Sequence, residues 1–251
     1  MLKQDRYDYI MKKVNSEGRA ITTELQKELN VSEATIRKDL QDLAAKGLVK
    51  RVHGGILNRI NDDLNFEVSS DLQVSIKEAL ARKAVELIVD KKVIFIDNGT
   101  TNLKFAEQLP LTYSGIIITN SPHISLALCN HPNIQINLIG GELDKKTKAI
   151  KGSVTLSEVQ KLNIECCILG IPCFNSEYGI TVPSYEESLL KRQLITQSSC
   201  IISMVTKEKL ERISTFYVDS INSINYLITE TTADKRLIDL YRNKGIEILL
   251  I

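Results

Sequence analysis

Val31-Ser-Glu-Ala-Thr-Ile-Arg-Lys-Asp-Leu40 reads as a helix with an apolar back and a polar front. Ile36, Leu40 and Leu43 recur at i, i+4 and i+7, the spacing of one buried helical face. Ala34, Thr35, Arg37, Lys38 and Gln41 fall elsewhere and face outward. Ser32 is a strong N-cap residue, and Glu33 suits the positive end of a helix dipole. A helix so divided, with its N-terminus near the bases, is what the major groove of DNA admits. Short amphipathic helices also occur in domains that never touch DNA, and a charged front is usually only a solvated face. The flanking residues therefore decide.

They complete a unit. Tyr7, Ile10, Met11 and Val14 mark a first helix that ends near Glu17-Gly18. Thr22 or Thr23 is expected to cap a second helix carrying Leu25 and Leu29, with Asn30 and Val31 as the turn before the third. Leu48 and Val49 begin a strand, and Lys50-Arg-Val-His-Gly-Gly-Ile56 supplies a basic tip from Arg51 to Gly55, so residues 1–57 read as a winged helix-turn-helix. Residues 1–60 carry 12 Lys and Arg against 8 Asp and Glu, net +4, whereas the rest of the chain carries 20 against 23, net −3. A basic head on a slightly acidic body fits a domain that neutralises phosphates.

Composition sets the outer bounds. At 251 residues, 43% hydrophobic and 25% charged, the chain is ordinary and globular, with room for one or two domains. No apolar run reaches the length of a membrane span and no signal-peptide core opens the chain, so no membrane association and a cytoplasmic location are expected. Cys129, Cys166, Cys167, Cys173 and Cys200 form no CxxC pair and have no His at metal spacing; they read as reduced, buried, small hydrophobes, Cys173 having the least apolar setting. No metal set is expected.

Residues 58–71 read as a polar connector, with Leu64 and Phe66 docking it onto the body. The body, 72–251, alternates. Leu72 to Val89 is a helix with Ile76, Leu80, Ala84 and Ile88 in step, followed by a strand from Val93 to Asp97. Short apolar runs recur at Gly115–Thr119, Ile134–Ile139, Cys166–Ile171, Cys200–Val205, Ile224–Thr229 and Ile246–Ile251, with helical stretches such as Ser184–Gln197 and Ala233–Asn243 between them. The pattern implies an α/β domain with a mainly parallel sheet and helices on both faces. In such sheets ligands bind beyond the carboxyl ends of the strands. The first three strands end there in Asp97-Asn-Gly-Thr-Thr101, Thr119-Asn-Ser121 and Gly140-Gly-Glu142. Singly, each loop reads as a helix cap or tight turn. Together, their hydroxyls, backbone N–H groups and helix N-termini read as one anion-binding crevice. No loop matches a P-loop or GxGxxG pattern.

Over nearly its whole length the chain resembles the DeoR family of bacterial sugar-metabolism repressors. The resemblance rests on Ser32-Glu-Ala-Thr-Ile-Arg-Lys-Asp-Leu40, Val52-His-Gly-Gly55, Asp97-Asn-Gly-Thr-Thr101, Thr119-Asn-Ser121, Ile139-Gly-Gly-Glu-Leu143 and Gly179-Ile-Thr-Val-Pro183 followed by Glu186. It implies a winged helix-turn-helix before an effector domain similar in fold to ribose-5-phosphate isomerase, acting as a homo-oligomer (dimer or tetramer) on a double-stranded DNA operator. A small anionic metabolite, a phosphorylated sugar or polyol, would control it, with no cofactor and no catalytic residue. DNA contacts would come from Ser32, Ala34, Thr35, Arg37, Lys38 and Gln41, and from Arg51, His53 and Gly54 in the wing. The effector would meet Asp97, Asn98, Gly99, Thr100, Thr101, Asn120, Ser121, Gly140, Gly141, Glu186, Lys191 and Lys209. Two departures touch this site. Gly170-Ile-Pro-Cys-Phe174 stands where many members have Gly-Ala-Asp-Gly-Ile, and Thr206-Lys-Glu-Lys209 where they have an Asp-Ser-Ser-Lys-like loop. The alternatives are a sugar-phosphate isomerase with a DNA-binding head, using Asp97, Glu142 or Glu186 as base, and an effector-independent DNA binder whose body only dimerises.

Overall fold

The computed structural model describes residues 3–45, 49–52, 54–58 and 66–251. Leu48, His53 and Leu64, named above, lie outside them. The chain divides into two compact units, Met1–Asp63 and Leu64–Ile251.

In the first unit, helix α1 (Lys3–Glu17), strand β1 (Arg19–Ile21), helices α2 (Thr22–Leu29) and α3 (Glu33–Ala45), and strands β2 (Val49–Val52) and β3 (Gly55–Asn58) follow in order. The strands form an antiparallel sheet ordered β1-β3-β2. Tyr7, Ile10, Val14, Leu25, Leu29, Ile36, Leu40, Leu43, Val49 and Ile56 share one buried core. Asn30 ends α2 in the left-handed conformation, which aims α3 away from it. One expectation is corrected. Thr22 and Thr23 lie inside α2, and Ile21 holds the cap position without a side-chain hydrogen bond. The strand runs directly into the helix because the Thr22 N–H donates to the Gly54 carbonyl at 2.8 Å, which does the work of a cap. Gly55 must be glycine: a Cβ there would sit 2.3 Å from the Ala20 carbonyl oxygen across β1.

The second unit opens with α4 (Phe66–Ser70) and α5 (Val74–Val85), then β4 (Val93–Ile96), α6 (Thr100–Glu107), β5 (Gly115–Thr119), α7 (Pro122–Leu128) and β6 (Ile134–Leu138). A small hairpin, β7 (Glu142–Leu143) and β8 (Ile150–Lys151), precedes α8 (Ser153–Val159) and β9 (Cys166–Ile168). The chain continues through β10 (Cys173–Asn175), β11 (Gly179–Val182), α9 (Tyr185–Thr196), β12 (Ile201–Met204), β13 (Phe216–Asp219), β14 (Tyr226–Thr229), α10 (Lys235–Asn243) and β15 (Glu247–Leu250). All seven strands expected from the apolar runs join one sheet ordered β15-β14-β12-β9-β4-β5-β6, and every pairing in it is parallel. Helices α5, α6 and α7 pack on one face. The other face is covered by α8, α9, α10 and a second, antiparallel sheet ordered β10-β11-β13. That sheet and the β7–β8 hairpin were not expected, since strands of two to four residues carry no readable alternation.

Two readings are refined. Within the segment read as a connector, Phe66–Ser70 forms a short helix, and Phe66 docks it onto the body as expected, buried and stacked on His123 with ring centroids 4.4 Å apart. Of the cysteines, Cys166, Cys167 and Cys173 are buried, but Cys129 is exposed and Cys200 only half-buried. Cys129 caps the end of a short surface helix, and Cys200 precedes its strand at the sheet rim, so neither reaches full burial.

Candidate functional site

Two surfaces carry the chemistry, one in each unit. On the first, the Thr35 N–H donates to Ser32 Oγ at 3.2 Å and the two hydroxyls lie 2.8 Å apart, so Ser32 caps α3 as expected. Ala34, Arg37, Lys38 and Gln41 are exposed along the helix, and Thr35 is half-buried beside its cap. Arg37 is clasped by Glu33 one turn back, Nη2 to Oε1 at 2.7 Å. Arg51, exposed on β2, places Nη1 3.5 Å from the Arg37 carbonyl, which brings the wing strand alongside α3. Gly54 is exposed in the wing turn.

Sequence reading missed what aims α3. Asp39, buried, accepts a forked pair of bonds from Arg6 of α1 at 2.6 and 3.1 Å. Asp42 accepts from Lys3 Nζ at 2.7 Å and the Tyr7 hydroxyl at 2.9 Å, and those two bonds, Lys3 first, lower its carboxyl pKa. Both carboxylates of the helix flank are thus turned inward and neutralised by α1, while Lys38 stays on the outward face. The one available signal was their i, i+3 spacing opposite a basic first helix.

On the second surface the carboxyl ends of β4, β5, β6 and β9 converge. From β4 the chain steps to β5 and β6 on one side and returns to β9 on the other, so the gap between β4 and β9 is the topological switch point. Asp97 stands there. Its Oδ1 accepts from the Asn98 N–H at 2.8 Å, and its Oδ2 accepts from the Gly170 N–H at 3.1 Å and from Lys191 Nζ at 2.5 Å. Lys191 also pairs with Glu187 Oε1 at 3.3 Å. Burial opposes the Lys191 charge, but the two carboxylates overcome this and raise its pKa above the ordinary lysine value. Burial likewise raises Glu187, with Lys191 pulling the other way and Asp97 adding to the rise.

The neighbouring loops are laced together. Asn120 Oδ1 accepts from the Asn98 N–H at 2.9 Å, and the Asn120 carbonyl accepts from the Ile150 N–H at 2.7 Å. Asn98 Nδ2 donates to the Thr147 carbonyl of the hairpin loop at 2.9 Å. Gly140 accepts from Thr155 Oγ1 at 2.9 Å. Gly141 has φ +148°, and a Cβ there would lie 2.1 Å from Thr155 Oγ1 and 2.6 Å from the Lys151 carbonyl. Gly141→Ala is therefore expected to destabilise the second unit by about 1–3 kcal/mol, read by denaturant unfolding; an unchanged midpoint would show that the hairpin yields freely. Glu186 reaches this hairpin through Lys151 at 2.9 Å, and Lys151 also pairs with Asp144 at 3.1 Å. Burial works against the Asp144 charge, but the Thr147 N–H, Lys151 and the Lys146 N–H hold its pKa down at about 2.

Thr100 and Thr101 form the first turn of α6, where backbone N–H groups have no intrahelical acceptor. Beside them lies a group that sequence reading missed. Lys77, buried on α5, donates to the Ser69 carbonyl, and Ser69 Oγ lies 3.1 Å from Thr100 Oγ1. Asn102, also missed, ties β4 to β9 by donating to the Asp97 and Ile168 carbonyls at 2.8 and 3.1 Å. Ser121 Oγ is fully buried without a hydrogen-bond partner, and so is Asn98 Oδ1. The structure thus joins Asp97, Asn98, Gly99, Thr100, Thr101, Asn120, Ser121 and Lys191 around one switch point, with Gly140, Gly141 and Glu186 linked through the hairpin. Lys209 lies in the 3-10 turn Lys207–Lys209 that follows β12, on the same carboxyl rim two strands along from β4. Asp97 accepts from three donors and Asn120 Oδ1 from the Asn98 N–H, so both side chains also brace the loops. Among the described residues no group of three or more His, Cys, Asp or Glu is placed to hold a metal, and no helix is long and apolar enough to cross a membrane.

The family model described as the DeoR C terminal sensor domain matches residues 72–231, and that described as the DeoR-like helix-turn-helix domain matches residues 6–59. The chain is 29% identical over 252 residues to the HTH-type transcriptional regulator GlpR of Haloferax volcanii, covering 99% of this chain and 98% of that protein. It is 29% identical to the Glycerol-3-phosphate regulon repressor of Escherichia coli, covering 100% of both. It is 28% identical to the HTH-type transcriptional repressor GlcR of Bacillus subtilis, covering 100% of this chain and 97% of that one. Among solved structures, ribose 5-phosphate isomerase A of Methanocaldococcus jannaschii is similar at a TM-score of 0.39 and 14% identity, over 55% of this chain and 54% of that one, a likeness too slight to bear on the site.

Proposed function

The chain belongs to the DeoR family, and from that premise we propose that a phosphorylated sugar or polyol, bound at the β4–β9 switch point, controls its repression of a carbohydrate uptake or catabolism operon. It is a DNA-binding transcriptional regulator whose helix-turn-helix lies in the first unit. The observation that carries the effector reading is the first turn of α6. There the Thr100 and Thr101 N–H groups and the positive end of the helix dipole stand one hydroxyl away from the buried Lys77 ammonium. A dianionic phosphate fits that combination, and Ser121 and Asn98 bring polar atoms still in want of partners.

The occupied state of Asp97 favours binding over turnover. An isomerase needs a carboxylate able to take a substrate proton, and Asp97 already accepts from Lys191, Gly170 and Asn98. Control then consists of two linked equilibria. Two copies of the chain set two recognition helices on a repeated operator sequence, and the metabolite favours the arrangement that fits the operator less well. A coupling of about 1–3 kcal/mol is typical of such linkage.

The test is thermal unfolding of the full chain with glycerol 3-phosphate, the metabolite in the name of the Escherichia coli relative, and with hexose and pentose phosphates. A ligand specific to the folded state stabilises it by about 2.7 kcal/mol at a hundredfold excess over Kd. Replacing Thr100 and Thr101 together with Val is expected to abolish that shift while operator binding persists. A full shift in the double variant would place the ligand elsewhere, and no shift with any phosphate would overturn the effector class.

A further inference from the structure

Cys166 and Cys200 take no part in the loops described above. They lie at the amino ends of β9 and β12, at the opposite rim of the sheet from the effector loops. These strands pair in parallel with Ile201 opposite Cys167 and Ile202 opposite Ile168, so one step back along the same register sets Cys166 opposite Cys200. The Cys200 carbonyl accepts from the Cys167 N–H at 2.8 Å, which fixes the two backbones side by side there. Alternate residues of a strand share a face. Cys166 accordingly projects with Ile168 and Cys200 with Ile202, and all four pack into the core beneath α5, α6 and α7.

The register sets the two thiols side by side on the same face of the sheet. Adjacent strands run about 4.8 Å apart, inside the roughly 4.4–6.8 Å between Cα atoms that a disulfide spans. Cys200 immediately precedes β12, where the backbone is freer to give the last few tenths of an ångström than within the ladder. It is also the half-buried member of the pair, within reach of a small oxidant. The hydrogen bond from the Cys166 thiol lowers the Cys200 pKa; burial opposes this, and the Lys91 ammonium adds to the lowering. Partial exposure, thiolate character and an adjacent second thiol together favour selective oxidation.

We propose that Cys200 and Cys166 are a peroxide-sensitive pair that closes reversibly into an intrachain disulfide bridging β9 and β12. The Cys200 thiolate attacks one oxygen of hydrogen peroxide; the O–O bond breaks, and the sulfur leaves as the sulfenic acid with hydroxide released. Cys166 sulfur then attacks the sulfenic sulfur. The S–S bond forms, the S–O bond breaks, and the Cys166 proton leaves with the hydroxyl as water. In total two thiols and one peroxide give one disulfide and two waters, and a dithiol reductant reverses the change.

The test treats the full chain with hydrogen peroxide, alkylates it under denaturing conditions and weighs it intact. Three of the five thiols are expected to alkylate after oxidation and all five after dithiothreitol, with a cross-linked peptide joining the 166–167 segment to Cys200. Cys166→Ser and Cys200→Ser are each expected to lose the cross-link and Cys167→Ser to keep it. In Cys166→Ser the stranded sulfenic acid on Cys200 is expected to react with dimedone. Five alkylated thiols after peroxide would overturn the proposal, as would a cross-link that survives Cys166→Ser or disappears in Cys167→Ser. Should a Ser variant fail to fold, the wild-type count and peptide map still decide.

Discussion

Lys191→Met is expected to cost the second unit about 3–5 kcal/mol of unfolding free energy, the usual penalty for stripping the partner from a buried charge. The side chains of Lys191 and Asp97 are 4% and 3% exposed, and Asp97 has no other cation on it in the described structure. Methionine replaces the volume of the lysine stem, so packing loss is small and the deficit reports the charge left behind. The pH dependence has a definite sign. In the native chain the Lys191 pKa is raised above 10.5, so its stabilisation is complete below 10.5 and disappears only as pH rises through the higher folded value. In the variant Glu187, whose pKa burial already raises, loses the Lys191 charge that pulls it down. The deficit is then fullest near neutrality and shrinks as acid protonates Glu187. Asp97→Asn combined with Lys191→Met is expected to be more stable than the sum of the two single losses allows, the signature of direct coupling. Denaturant midpoints at pH 5 and pH 8 check both points. A loss below about 1 kcal/mol, or one independent of pH, would mean that the pair is not what holds β4, β9 and α9 together.

The second large effect falls on DNA. Arg37→Ala with Lys38→Ala is expected to weaken binding to an operator selected from random-sequence duplex by about 2–6 kcal/mol, taking roughly 1–3 kcal/mol for each direct contact. Their shares differ in kind. Lys38 is exposed on the outward face, and as a phosphate contact its loss lowers affinity for all sequences and flattens the salt slope by about one unit. Arg37 is already clasped by Glu33. A loss confined to one base position shows that Arg37 reads a guanine; a loss equal for all sequences and restored by Glu33→Gln shows that it serves to neutralise Glu33. Binding isotherms at two salt concentrations separate these outcomes. A double variant that binds as tightly as wild type would remove this helix face from the interface.

The residues that made the fold legible carried their signal locally. The five inner strands of the parallel sheet are short apolar runs between turn residues, and burial on both faces leaves just such runs in the sequence, whereas the edge strands β6 and β15 are partly exposed. The Ile36, Leu40 and Leu43 stripe and the Ser32 cap are equally local, because one helical turn relates them. The loop chemistry was readable as well, since a parallel sheet delivers all its strand ends to one rim. What those residues do there was not readable. The β10-β11-β13 sheet is built from strands of three or four residues, too short to show a period. The Phe66–Ser70 helix is five residues long and is held by tertiary contacts, including the stacking of Phe66 on His123.

The sequence by itself determined the class of each unit, the order of the strands' apolar cores and which loops carry polar chemistry, because those depend on neighbours within one or two turns. Only the tertiary structure decided which partners those loops keep. Asp97 meets Lys191 across 94 residues and Asn98 meets Thr147 across 49; Cys166 lies opposite Cys200 by strand register alone. Such pairings depend on the order in which strands insert on either side of β4, and that order is settled by long-range burial, which leaves no mark in any local stretch of sequence.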